Sequence, residues 1–154
     1  KATTLPLVAA GGIATGDAIL AAEALGAEGV QIGTRFVFTK ESSASDAFKQ
    51  VCLNLNEGDT KLILKKLSPT RLINNKFRGV LEEAEANGAT AEQLLEIIGV
   101  GRAKLGMFDG DIDNGELEIG QIAALFKGRE IQTVAEAMAE MVAEYTAARE
   151  RLLK

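Results

Sequence analysis

The sequence has no histidine, no tryptophan, one cysteine, one tyrosine and two prolines. Without histidine, the commonest general acid–base and metal-ligand side chain is missing from the chain's chemistry. A lone Cys52 cannot close an internal disulfide and fits a reducing compartment, so a cytoplasmic setting is expected. It sits within an apolar helical pattern, which makes it core rather than a catalytic thiol. No apolar run approaches the roughly 20 residues of a membrane span. The formal net charge of −5 offers no general attraction to nucleic-acid phosphates. With 47 % hydrophobic and 25 % charged residues, the composition is that of an ordinary globular chain, so disorder is excluded. No internal repeat or low-complexity segment is present.

What is present is glycine at telling places. Residues 5–36 read LPLVAAGGIATGDAILAAEALGAEGVQIGTRF. The run at 7–10 is long enough for one fully buried strand. Gly11 and Gly12 end it, where only glycine takes up φ > 0 freely or lets a ligand approach the backbone closely. Residues 17–25 are rich in Ala, Leu, Ile and Glu without Gly or Pro, which favours helix, and Gly26 stands at a C-cap position. Residues 29–32 form a second short buried strand. Gly33 and Thr34 close it and open a short helix through Arg35 and Phe36.

Two such strands joined by one helix form a βαβ unit with parallel strands. Both glycine turns then lie at one edge, where their backbone N–H groups can converge on a single anion. The second turn adds the positive end of a helix dipole. This is the usual phosphate site of (β/α)8 barrels, built after the last two strands. Turns that merely connect elements are the other reading, and the commoner one for glycine turns in α/β connections.

A whole (β/α)8 barrel needs about 200 residues or more, and the two or three strands legible here cannot close one. The expectation is an α/β chain forming the C-terminal part of a TIM (β/α)8 barrel, beginning near the seventh strand, with an added helical subdomain.

The strings AAGGIATG and GAEGVQIGTRF closely resemble the flavin-dependent family of nitronate monooxygenases and type II enoyl-acyl-carrier-protein reductases. The resemblance continues through Thr39, Lys40, Glu41 and Ser42, through SPTRLINNKF at 68–77, and through Gly110-Asp111, Gly115 and Gly120-Gln121. It implies that Gly11, Gly12, Gln31, Ile32, Gly33 and Thr34 hold the phosphate of FMN, with no catalytic residue and no metal ligand in this chain. It implies NAD(P)H as reductant, an acyl-carrier-protein thioester as substrate, and a homodimer. Nitronate oxidation is the alternative activity, and a non-catalytic fragment of such an enzyme the third reading. The family's Gly-Gly-His loop is absent, so activity would need a preceding half. Residues 42–46 read SSASD where the family often has a histidine. The implied organisation is residues 1–40 as the last βαβ of the barrel, 41–117 as a helical insertion and 118–154 as helices returning to the barrel. In the family, the Gly110-Asp111 and Gly120-Gln121 positions border the flavin pocket.

Residue patterns fill in the remainder. Ser43 or Ser45 caps a helix whose buried face carries Phe48, Val51, Cys52 and Leu55. Residues 60–64 read as a strand. Ser68-Pro69 breaks regular structure, leaving a loop to Asn75 that carries Arg71; this cation and Lys76 are candidate binding residues or solvated surface charge. A helix at 77–86 places Phe77, Val80, Leu81 and Ala84 on one stripe, and Asn87-Gly88 ends it. Thr90 caps a helix that buries Leu94, Leu95, Ile97 and Ile98, with Glu92-Gln93 set for a capping box. A short helix is expected at 102–108. Asp109, Asp111 and Asp113 alternate as in a calcium loop, but the sixth position is Asn114 and the twelfth Gly120, so an acidic turn is the better reading. A short helix at 119–126 and a long one from Val134, capped by Thr133, complete the chain. The long helix presents Val134, Met138, Met141, Val142, Tyr145, Ala148 and Leu152 as its apolar stripe, expected to pack on the outside of the barrel.

Overall fold

The computed structural model describes residues 3–154. The chain divides into two compact units: the described residues up to Ser42 together with Glu130–Lys154, and Ser43–Arg129.

In the first unit, β1 (Val8–Ala10) leads through Thr15 into helix α1 (Gly16–Ala24) and on to β2 (Gly29–Gln31). The strands pair in parallel, Val8 against Gly29 and Ala10 against Gln31. The Thr15 hydroxyl accepts from the Ala18 amide and caps α1. At the other end, Gly26 (φ +98°) donates to Glu23 O while Ala27 donates to Ala22 O, the paired bonds of a Schellman stop. The one-turn helix α2 (Thr34–Val37) follows Gly33. After the second unit, Thr133 opens α6 (Val134–Leu152) with a capping box to Glu136.

Helix α6 packs on α1, and Gly16 makes the crossing possible. A Cβ there would lie 2.1 Å from the Tyr145 amide nitrogen and 2.4 Å from the Met141 carbonyl. The Gly16 amide instead donates to Glu144 Oε2 at 2.7 Å.

The two strands are not buried as the apolar runs predicted. Leu7 and Val8 are exposed, at 50 % and 55 %. Two paired strands cover each other along one edge only, and α1 packs against β2. A groove of about 390 Å³ also stays open beside β2, lined by Val30, Ile32, Phe36, Met138, Val142 and Tyr145. The apolar stripe of α6 is correspondingly split: Met141 and Ala148 are buried on α1, while Met138, Val142 and Leu152 are exposed.

The second unit closes on itself. Ser45 caps α3 (Asp46–Leu53) by accepting from the Phe48 amide. Strands β3 (Thr60–Ile63) and β4 (Thr70–Ile73) form an antiparallel hairpin, with Thr60 opposite Ile73. β3 agrees with its sequence pattern, whereas β4 corrects the loop expected up to Asn75. Proline at 69 disrupts only the connection, and the TRLI that follows is β-branched and apolar enough to pair. Leu64 ends β3 at φ +58°, held there by burial to 3 % exposure.

Asn75 caps α4 (Lys76–Ala86), and Thr90 with Gln93 forms the capping box of α5 (Ala91–Ile98). Ile63, Leu64, Leu72, Phe77, Leu81 and Leu94 share one core. Val80 and Leu95, assigned to buried stripes by periodicity, are exposed at 51 % and 57 %. The hairpin covers a narrower face of each helix than the apolar residues offer. The helix expected at 102–108 is a widened π turn over Lys104–Phe108. Gly106 lies there against Gly115, whose Cβ would fall 2.1 Å from the Gly106 Cα. A 3-10 helix, Gln121–Phe126, follows Gly120.

Candidate functional site

The parallel register fixes where the two glycine turns stand. Ala10 is level with Gln31, so Gly11 and Gly12 leave β1 at the same end at which Ile32 and Gly33 leave β2. The turns share one end of the sheet. Gly11 and Gly12 take φ of +84° and +71°, a conformation that L side chains rarely adopt. No atom lies within 4 Å of a Cβ built on Gly11, Gly12 or Gly33. Among the described residues, the amides of Gly11, Gly12, Gly33 and Thr34 donate to no partner in the loop and turn hydrogen bonds. Backbone donors at adjacent glycine turns, with nothing packed where the Cβ atoms would be, are what an anion requires, and the residues present fit a phosphate group. Gln31 is exposed and Ile32 half-buried at the same edge. The helix-dipole contribution expected from α2 is minor, because α2 is only four residues long.

The sequence profile of the nitronate monooxygenase family matches residues 1–144. The chain belongs to that family. A probable nitronate monooxygenase of Staphylococcus haemolyticus is 43 % identical over 86 residues, which cover 54 % of this chain and 24 % of that protein. Among solved structures, FabK from Thermotoga maritima superposes with a TM-score of 0.87 at 34 % identity, over 97 % of this chain and 47 % of FabK. A nitroalkane oxidase from Streptomyces ansochromogenes gives a TM-score of 0.77 at 30 % identity, over 98 % of this chain and 42 % of its own length. The chain thus spans less than half the length of each of these relatives.

Arg35, within the GTRF string that carries the family likeness, received no role from sequence reasoning. It is 2 % exposed. Its Nη1 donates to Ala14 O at 2.9 Å and its Nη2 to Glu140 Oε2 at 2.7 Å. Glu140 also accepts from Gln132 Nε2 at 2.9 Å. A buried arginine is invisible to hydropathy patterns, and its acceptors lie far away in sequence. The segment after GTRF is tied in too: Lys40 N donates to Gln132 O, and the Glu41 carboxylate accepts from the Val134 amide at the start of α6.

The cations singled out in the second unit already have structural partners. Arg71 Nη1 donates to Thr60 O and Thr60 Oγ1 across the hairpin. Lys76 pairs with Asp113 at 2.7 Å, and that hydrogen bond holds its ammonium above the usual lysine range. The acidic turn is an Asx-type turn: Asp111 Oδ1 accepts from the amides of Asn114 and Asp113, which lowers its carboxyl below the ordinary range. Asp109 pairs with Lys104. Among the described residues no group of three His, Cys, Asp or Glu side chains could hold a metal ion. Cys52 is fully buried, and desolvation pushes its thiol up to about 12. No helix among the described residues is long and apolar enough to cross a membrane.

Proposed function

We propose that this chain forms the phosphate end of an FMN site in a flavin-dependent oxidoreductase, with β1 and β2 as two strands of a (β/α)8 barrel. One observation supports the reading: parallel pairing brings the Gly11-Gly12 and Gly33-Thr34 turns to the same end of the strand pair, with open space where the Cβ atoms of Gly11, Gly12 and Gly33 would lie. Backbone donors at both turns, with the Thr34 hydroxyl, would hold the phosphate, and Gln31 and Ile32 would border it. When bound, FMN supplies hydride acceptance and donation. The residues here would bind and orient, and an imidazole acid–base would have to come from outside this chain, which has no histidine.

The likeness to FabK across 97 % of the chain supports a reductase that uses NAD(P)H to saturate a 2-enoyl thioester carried on acyl carrier protein. The family profile and the staphylococcal relative support a second reading, oxidation of small alkyl nitronates. Two measurements on the intact protein decide. NADH consumption with a crotonyl thioester, set against oxygen consumption with a nitronate, separates the substrates. Gly12→Val tests the cradle: a branched side chain at φ +71° is strained, and FMN content is expected to fall to near zero while the fold is retained. Normal FMN content in that variant would refute the site.

A further inference from the structure

We propose that Arg35 is a positioning residue whose guanidinium sets the distance between the two glycine turns, and thereby makes the site selective for ligands bearing a phosphate. The inference rests on the phosphate reading above and goes beyond it by naming what holds the donors in place.

Three features carry it. First, the turns do little to fix themselves. Gly11 and Gly12 have positive φ, and nothing packs where their Cβ atoms would be. Glycine has the widest conformational freedom of any residue, so a donor array built on it needs external support to be preorganised.

Second, Arg35 lies one residue beyond the second turn, and its Nη1 reaches Ala14 O, two residues beyond the first. Ala14 itself is fully buried. One planar side chain therefore spans the two segments that present the amides. Its other arm ends on Glu140 of α6, so the bridge is anchored to a nineteen-residue helix. Glu140 is held in turn by Gln132, and Lys40 N donates to Gln132 O. The far end of α2 is fixed independently, with Thr39 Oγ1 donating to Phe36 O.

Third, Arg35 is not itself a phosphate ligand. At 2 % exposure, with Nη1 and Nη2 committed to Ala14 and Glu140, it acts through the backbone it spaces. Lysine cannot replace it, because a single ammonium lacks the rigid fork that serves two acceptors in different directions.

A residue that only stabilises the fold would affect all ligands alike, whereas one that spaces phosphate donors affects the phosphate alone. The test compares FMN with riboflavin, which lacks the phosphate, by titrating the apo form of the intact protein and following flavin fluorescence. Arg35→Lys is expected to weaken FMN binding by about tenfold or more while changing riboflavin binding by less than about twofold. The 31P resonance of bound FMN is expected to shift and broaden. Glu140→Gln keeps an acceptor oxygen for Nη2 but loses the charge, and is expected to give a smaller loss in the same direction; it carries the test if Arg35→Lys does not fold. Equal losses for FMN and riboflavin, or unchanged FMN affinity in both variants, would overturn the proposal and leave the cradle standing. A wild-type protein with no preference for FMN over riboflavin would overturn the phosphate reading and this inference with it.

Discussion

The two units solve burial in opposite ways. The second has its own interior: Leu81 and Leu94 are completely buried, and the hairpin, α4 and α5 close around one apolar cluster. The first is open. Its strands are short and parallel, Val8 faces solvent, and its firm contacts are confined to the α1–α6 crossing and the surroundings of Arg35. A closed core stabilises mainly through area removed from water. The open unit leans on caps, one glycine crossing and one partly buried ion pair, which are few and specific. Tolerance to substitution should therefore differ between the units in kind as well as degree.

The sharpest way to break that contrast is Gly16→Val. Its side chain would overlap backbone atoms of Tyr145 and Met141, and the cost is expected to be roughly 4 kcal/mol. Amide hydrogen exchange should show α1 and α6 losing protection while the β3–β4 hairpin keeps it. Equal loss in both would mean that the units do not hold separately. Next comes a paired truncation. Leu81→Ala is expected to cost about 3 kcal/mol in urea denaturation, whereas Val8→Ala, already half exposed, should cost less than about 1 kcal/mol. Similar costs would erase the distinction between closed and open.

The smallest effect concerns how dry the closed interior is. Burial pushes the Cys52 thiol up to about 12, from 9.0 for a free thiol. The buried group favours the protonated form, so its contribution is complete below pH 9.0 and is lost as pH rises toward 12. The stability difference between wild type and Cys52→Ala should shrink by about 1 kcal/mol by pH 10. A flat difference would indicate a wetter core.

Local chemistry was legible in the sequence. Thr90, Thr133 and Ser45 cap the helices their positions announced, Gly26 stops α1, and the paired glycines mark the turns at the end of β1 and β2. These signals depend on a few neighbouring residues. What depends on distant partners was not legible. β4 was hidden behind Pro69, because a four-residue strand shows itself only through the strand it pairs with. Exposure of Val8 and Leu95 could not be read from hydropathy, which reports what a side chain prefers and not what is available to cover it. Arg35 was overlooked for the same reason: its meaning lies in Ala14 and Glu140.

The Arg35 bridge also has a consequence in time. Its acceptors, Ala14 and Glu140, lie on either side of the entire second unit in the chain. A ribosome therefore releases the inner unit, with its short-range hairpin and helix pair, before the acidic partner of Arg35 has been translated. The inner unit can fold early, whereas the glycine edge can be locked only by a late, long-range closure. Until α6 emerges, the Arg35 bridge lacks its helical anchor, and under the proposed function ligand capture would be a final step of maturation rather than an early one.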